Sequence, residues 1–108
     1  MNYIKMLIRR FKRNVLKQKV DAGIGDYIVA KLGVDGIKQK GKIMSTRIDG
    51  GMEWLCVKCT RKCNGWNISN TDNQDRKIME RWNLPERYLG TEQQFWVIRH
   101  EHILEILS

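Results

Sequence analysis

The sequence predicts an α+β protein that consists mainly of antiparallel β-sheet. Its 108 residues, 42% of them hydrophobic, fit one globular domain. After residue 26, segments rich in β-branched residues alternate with short glycine-containing turns, a pattern typical of an antiparallel meander. Helical periodicity is confined to residues 1–20 and to one internal stretch. We therefore expect a basic helix at 1–20 and a small β-domain at 21–108.

Residues 1–20 predict an amphipathic helix. Apolar residues recur at helical spacing on one stripe, at Ile4, Leu7, Ile8, Phe11 and Val15. Cations cover most of the remaining circumference, and the two glycines of DAGIGD (residues 21–26) end the pattern. The stripe fits either packing on the protein's own core or an external contact. Either arrangement leaves the basic face outward.

Three strands are expected in the first half of the β-domain. DYIVAKL (residues 26–32) is rich in β-formers, and a turn at Asp35-Gly36 separates it from a strand at about 41–48. Asp49-Gly50-Gly51 is a strong turn signal, and residues 53–59 have the composition of a third strand. Short connections of this kind favour antiparallel neighbours.

A short helix is expected within an insertion at about residues 67–90. Thr71 and Gln74 have capping-box spacing, which predicts a helix from there to about residue 83. Pro85 allows at most one further turn, and Gly90 closes the unit. In the tail, we expect a strand at 95–99, a tight turn at 100–102 and a last strand at 103–107.

The order GDYIVAKL, turn, GKIMSTRI, turn, EWLCVKC, insertion, FWVIRHEHILEIL resembles a Src-homology-3-like small barrel of the kind seen in small phage and bacterial proteins. The resemblance covers residues 24–63 and 94–107 and depends on element order alone. It implies a closed small barrel ending in a strand, a one-turn 3₁₀ element and a closing strand. The helical insertion departs from a minimal barrel. Because this fold hosts protein, peptide and nucleic-acid binders, the resemblance implies no single function.

Charge is concentrated at the N-terminus. The net charge is +8, and residues 1–20 hold seven Lys or Arg and no acidic residue, so the other 88 residues are nearly neutral. This asymmetry favours a polyanionic partner. The candidate binding residues of this segment are Lys5, Arg9, Arg10, Lys12, Arg13 and Lys17. Further candidates are Lys38, Lys40 and Lys42 on the second strand, and Arg61, Lys62 and Trp66 around a loop. Trp66 also fits packing under the insertion.

LCVKCTRKC (residues 55–63) raises the question of a metal. Cys56 and Cys59 have the spacing of one zinc knuckle, and Cys63 with His100 completes a candidate Cys₃His site. In a strand, however, Cys56 and Cys59 point to opposite faces. We therefore expect buried architectural thiols and no cofactor, with zinc as the alternative; a disulfide is left open.

The function expected from these features is binding without catalysis. The sequence has no phosphate-binding loop, nucleophile elbow or zinc-protease motif. The leading hypothesis is a nucleic-acid-binding protein that contacts the phosphate backbone. The alternative is a phage or mobile-element accessory protein that binds and inhibits or adapts a host nucleic-acid-processing protein, as an anti-defence factor does. A membrane-surface role is less favoured. The odd cysteine count and the lack of a recognisable secretion signal predict a cytoplasmic setting.

Overall fold

A computed structural model of the chain describes residues 22–107, which form a five-stranded antiparallel sheet and one α-helix. The elements are β1 (Tyr27–Leu32), β2 (Ile37–Asp49), β3 (Met52–Cys59), α1 (Asn73–Arg81), β4 (Phe95–Ile98) and β5 (Ile103–Ile106), with 3₁₀ turns at Glu86–Tyr88 and His100–His102. The α+β prediction is confirmed, as are the strand, turn and strand of the tail. The helix predicted at 1–20 lies outside the described residues. In the described part of the chain, no helix is long and apolar enough to span a bilayer.

The sheet has the order β4-β3-β2-β1-β5 and does not close, so the prediction of a barrel is wrong. A flat sheet of five strands separates its outer strands by about 19 Å. Residues 99–102, which include a 3₁₀ turn, are all that joins β4 to β5, so the sheet must be curled. Closure nevertheless requires a continuous ladder between the edges. Each edge strand has only four residues; β5 pairs with β1, and β4 pairs with β3 and, through Phe95 alone, with Trp66, so neither edge pairs with the other.

β2 is longer than the sequence predicts and connects the two halves of the sheet. It begins at Ile37 rather than near residue 41, because its first six residues pair with β1 across the turn at 33–36. Its second half pairs with β3, and the register shifts by one residue between Ile43 and Ser45. Such a bulge bends a strand and increases its twist. Beyond the bulge, the end of the β2–β3 hairpin extends past the flanking strands, because β1 pairs only with residues 37–42 and β4 only with residues 55–58.

The inner face of the sheet carries the main core. Alternate residues of β1, Ile28, Ala30 and Leu32, are fully buried on this face. They pack in one cluster with side chains from the other four strands, including Leu55, Val57, Ile98, Ile103 and Ile106. Burial of these side chains supplies the main driving force for folding the sheet. Because side chains alternate between faces, the residues between them point outward.

The insertion covers the outer face of β3 and β4. Cys56 of β3 and Phe95 of β4 are buried there with Ile68 and Leu84 of the insertion. The partly buried side chains of Ile78 and Met79, on α1, and of Trp82, its C-cap, pack on this cluster. A two-residue bridge between Trp66 and Phe95, with N–O distances of 2.8 and 3.0 Å, attaches the insertion to β4. Both faces of β3 are therefore buried, which explains its continuous apolar run.

The start of α1 differs from the capping box expected at Thr71. The N-cap is Asp72, whose Oδ1 accepts a hydrogen bond from the Asp75 amide at 2.8 Å. Thr71 instead has a left-handed backbone with φ of 58°, so its side chain is not placed to cap the helix. Asp75 is buried, and its side-chain Oδ2 accepts a hydrogen bond from the Asn70 amide at 2.7 Å. The two aspartates together satisfy amides at this helix end.

Candidate nucleic-acid interface

The outer face of β1, β2 and β3 carries a row of lysines, which we term the lysine face: Lys31, Lys38, Lys40, Lys42 and Lys58. Lys38, Lys40 and Lys42 alternate with residues that face inward, so they share one side of β2. The register then places Lys31 opposite Lys38 and Lys58 opposite Lys42. Like charges placed directly opposite repel one another. The fold therefore gathers five cations from three strands at some electrostatic cost.

Tyr27 lies among these lysines. It is opposite Lys42 in the β1–β2 ladder, and its ring centroid is 4.7 Å from Lys40 Nζ and 5.7 Å from Lys42 Nζ. These are cation–π distances, with the ammonium groups over the ring. Tyr27 is half-buried, so part of its ring surface remains accessible to solvent.

Tyr88, from the insertion, lies beside Lys58, at the opposite end of the lysine face from Tyr27. Its hydroxyl oxygen accepts hydrogen bonds from Lys58 Nζ at 3.2 Å and from an Arg87 guanidinium nitrogen at 3.1 Å. Both cations also lie over its ring, at 5.5 and 4.8 Å from the centroid. Burial acts to raise the pKa of Tyr88, but the hydrogen bonds and charges of Arg87 and Lys58 outweigh it and lower the pKa overall.

The lysine face lacks carboxylate partners within residues 22–107. The ion pairs described in that range lie around the second 3₁₀ turn, where Arg99 pairs with Glu101 and His100 contacts Glu53 at 2.9 Å. Glu105, on β5, is opposite Val29, which lies between Tyr27 and Lys31 on β1. A group of cations without compensating acids produces a positive potential that attracts anions.

Arg61 and Lys62 lie apart from this row. Both are exposed in the loop after β3, at a cleft of about 530 Å³ that also includes Glu92 and Gln93. Trp66 stacks on Phe95, with ring centroids 5.1 Å apart, and packs against the outer cluster under the insertion. Of the two interpretations of Trp66, packing is the one that the structure supports. The three loop residues therefore do not form one interleaved surface.

The predicted cations of the N-terminal segment lie outside the described residues: Lys5, Arg9, Arg10, Lys12, Arg13 and Lys17. Of the predicted set, the structure brings together Lys38, Lys40 and Lys42. Sequence reasoning missed Lys31, Lys58, Tyr27 and Tyr88 as parts of the same face. The alternation of Lys31 and Tyr27 with buried residues could have placed them on it, whereas nothing in the sequence places Tyr88 there.

The cysteines are divided between the two faces of β3. Cys56 is buried in the outer cluster, and Cys59 and Cys63 form a disulfide at the edge of the inner core. Burial raises the pKa of the Cys56 thiol to about 12. His100 contacts Glu53, and the described chain has no group of three Cys, His, Asp or Glu side chains placed to hold a metal. The four candidate zinc ligands are thus not assembled.

The disulfide bears on the expected setting of the protein. Cys59 and Cys63 are four residues apart and both nearly inaccessible. Disulfides persist in oxidising compartments and are rare in the cytosol. The pair differs from the free thiols expected of a reducing setting, and the cytoplasmic location stays a prediction.

The fold and this site define a small antiparallel-sheet protein with a basic outer face bordered by two tyrosines. No protein-family model, curated protein or solved structure matches the chain. Its function must therefore be inferred from the chemistry of its own residues.

Proposed function

We propose that this protein binds nucleic acid through the phosphate backbone and has no catalytic role. The observation that supports the proposal most is the lysine face: cations on three adjacent strands share one surface, and none pairs with an acid in residues 22–107. Like-charged neighbours destabilise a sheet. A polyanion that bridges them removes that repulsion on binding.

The N-terminal segment adds a second source of positive charge. Residues 1–20 contribute seven Lys or Arg without an acid, independently of the five lysines of the sheet. Phosphate contacts from both sources would act without regard to base sequence, because they recognise charge and spacing. We therefore expect affinity for nucleic acid in general and a steep dependence on salt.

The test is fluorescence anisotropy of a labelled 20-nucleotide oligonucleotide with the full chain at 50, 100 and 200 mM salt. The test variant replaces Lys38, Lys40 and Lys42 by Gln. Each phosphate contact contributes about 0.7 to the slope of log K against log salt for a single strand. Loss of three contacts should lower the slope by about 2.

A matched control replaces Arg76, Lys77 and Arg81, on α1, by Gln and removes the same charge from exposed helix positions. It should leave the slope nearly unchanged. Equal effects of the two triple variants would show that only net charge matters and would contradict the assignment to the lysine face. Charge reversal of Arg9, Arg10 and Arg13 tests the N-terminal contribution separately.

Absence of binding at 50 mM salt would contradict the proposed function itself. In that case, affinity purification of the full chain before and after nuclease treatment tests the alternative of a protein partner. A partner retained after nuclease would support the accessory-protein hypothesis.

A further inference from the structure

We propose, on the basis of the function proposed above, that the lysine face binds single-stranded rather than duplex nucleic acid, with bases stacking on Tyr27 and Tyr88. Three features of the face support this binding mode: a line of three lysines along β2, an aromatic ring at each end of a row across the sheet, and cationic groups that lie over those rings.

Three of the five lysines follow one line along β2. Lys38, Lys40 and Lys42 stand on the same side of β2 at every second residue, which spaces them by roughly 6.8 Å along the strand. This spacing is close to the backbone separation of neighbouring phosphates in one extended strand. A duplex presents two backbones across a groove, which is read by an inserted helix or β-ribbon. The protruding β2–β3 hairpin is poorly suited to that role, because Asp49 and Glu53 accompany Arg47 on it.

Two tyrosines border the row that crosses the sheet. Tyr27 is opposite Lys42, Lys42 is opposite Lys58, and Lys58 donates a hydrogen bond to Tyr88. β1 and β3 are two strand spacings apart, or about 10 Å. Cations that track a backbone, combined with aromatic rings that accept bases, are the features shared by proteins that bind single strands.

Cations lie over both tyrosine rings in the free protein, so we expect bases to replace them on binding. In the free protein Lys40 and Lys42 lie over the Tyr27 ring, and Lys58 and Arg87 lie over the Tyr88 ring. A cation–π contact at an exposed site is weaker than the stacking of a base on an aromatic ring. A base can therefore displace the ammonium group, which then moves to the adjoining phosphate. Both steps favour the bound state.

The hydroxyl of Tyr88 supplies a further polar group. Its oxygen accepts hydrogen bonds from Lys58 and Arg87, so its own proton is directed away from both cations. That proton is available to a phosphate oxygen or a base carbonyl. Tyr88, Lys58 and Arg87 thus form a cluster of three donors at the edge of the face.

The experiment compares a labelled single strand with a duplex of the same sequence, using the full chain at fixed salt. The variants are Tyr27→Ala, Tyr88→Ala and the conservative Tyr27→Phe and Tyr88→Phe. We expect tighter binding of the single strand and about a tenfold loss for each Ala variant, the size expected for one base–aromatic stack. Each Ala variant should leave the salt slope unchanged, because neither removes a cation. Tyr27→Phe should bind as the parent protein does.

A variant that alters folding is identified by its thermal unfolding curve, and Tyr27→Leu, which keeps an apolar side chain on β1, then replaces Tyr27→Ala. Photocrosslinking of a 4-thiouridine strand, followed by peptide mass spectrometry, provides a direct second measurement. Crosslinks at Tyr27 or Tyr88 support the inference.

Three results would overturn it. These are equal affinity for single strand and duplex, tyrosine variants that bind the single strand normally, and crosslinks confined to other residues. Each of these leaves the proposed function intact, because nucleic acid still binds. Failure to bind either the single strand or the duplex at low salt would instead contradict the proposed function.

Discussion

Replacement of Gly41 by Ala tests how tightly the centre of the sheet is packed. Gly41 is buried in the middle of β2, opposite Ile28 on β1 and Cys59 on β3. A Cβ at this position would lie 2.4 Å from Val57 Cγ1, 3.0 Å from Leu32 Cδ1 and 3.1 Å from the Lys58 carbonyl oxygen. The last contact is with backbone, which cannot move without disturbing the β2–β3 ladder.

The expected cost follows from two opposing contributions. Overfilling a packed core destabilises a protein by about 1–3 kcal/mol. Replacing Gly by Ala lowers the entropy of the unfolded chain and returns about 0.4–1 kcal/mol. We therefore expect Gly41→Ala to lower the free energy of unfolding by about 1–2 kcal/mol. Gly23→Ala is the matched control, because no atom lies within 4 Å of its added Cβ and its φ is not left-handed. It should be neutral or slightly stabilising.

A double-mutant cycle identifies the clash as the cause. Val57→Ala alone removes buried methyl groups and destabilises the protein. In the Gly41→Ala background it also removes the closest steric contact. The double variant should therefore be more stable than the sum of the single effects by about 0.5 kcal/mol or more.

Urea unfolding followed by circular dichroism measures these differences as shifts of the midpoint at constant m-value. An unchanged midpoint for Gly41→Ala, or strictly additive effects in the cycle, would refute the reasoning from packing. A loss in Gly23→Ala as large as that in Gly41→Ala would contradict the assignment of the Gly41→Ala loss to the clash, because no atom lies near the added Cβ at Gly23.

Three further predictions concern the cysteines and the helix start. Replacing Cys59 and Cys63 by Ser should lower the free energy of unfolding by about 2 kcal/mol through loop-closure entropy; an equal urea midpoint with and without reductant would contradict this. Cys56, whose pKa burial raises to about 12, should resist maleimide at pH 8 until the protein unfolds. Rapid labelling of the native protein would contradict the burial of Cys56. Because the pKa of the Cys56 thiol is higher in the folded protein than its unfolded value near 9, the contribution of the neutral thiol to stability is complete below pH 9 and is lost between about pH 9 and 12. Asp72→Ala removes the cap on the Asp75 amide and should cost about 1 kcal/mol, measured by thermal unfolding, whereas Thr71→Ala should cost less.

The sequence predicts the strands well where local signals are strong. The glycine-rich turn at 49–51 and the β-branched runs beside it locate the β2–β3 hairpin, and the tail follows its predicted order. The start of β2 was missed because IKQKG has no apolar alternation, and only pairing with β1 makes it a strand. The capping box predicted at Thr71 is wrong: Thr71 and Asp72 are adjacent and both of a type that caps helices, and the N-cap is Asp72. A left-handed backbone at one of them decides the choice, and spacing does not reveal it.

The sequence by itself determined the α+β fold class, the alternation along β2 that separates lysines from core residues, and the excess of positive charge in residues 1–20. These properties depend on side-chain type and local period, which are encoded along the chain. Tertiary structure alone decided that the sheet remains open, that Cys59 pairs with Cys63 and not with Cys56, and that Tyr88 meets Lys58 across 30 residues. Each of these depends on strand register and on which face the insertion covers. Register and coverage are set by packing between segments distant in sequence, so no local pattern contains them.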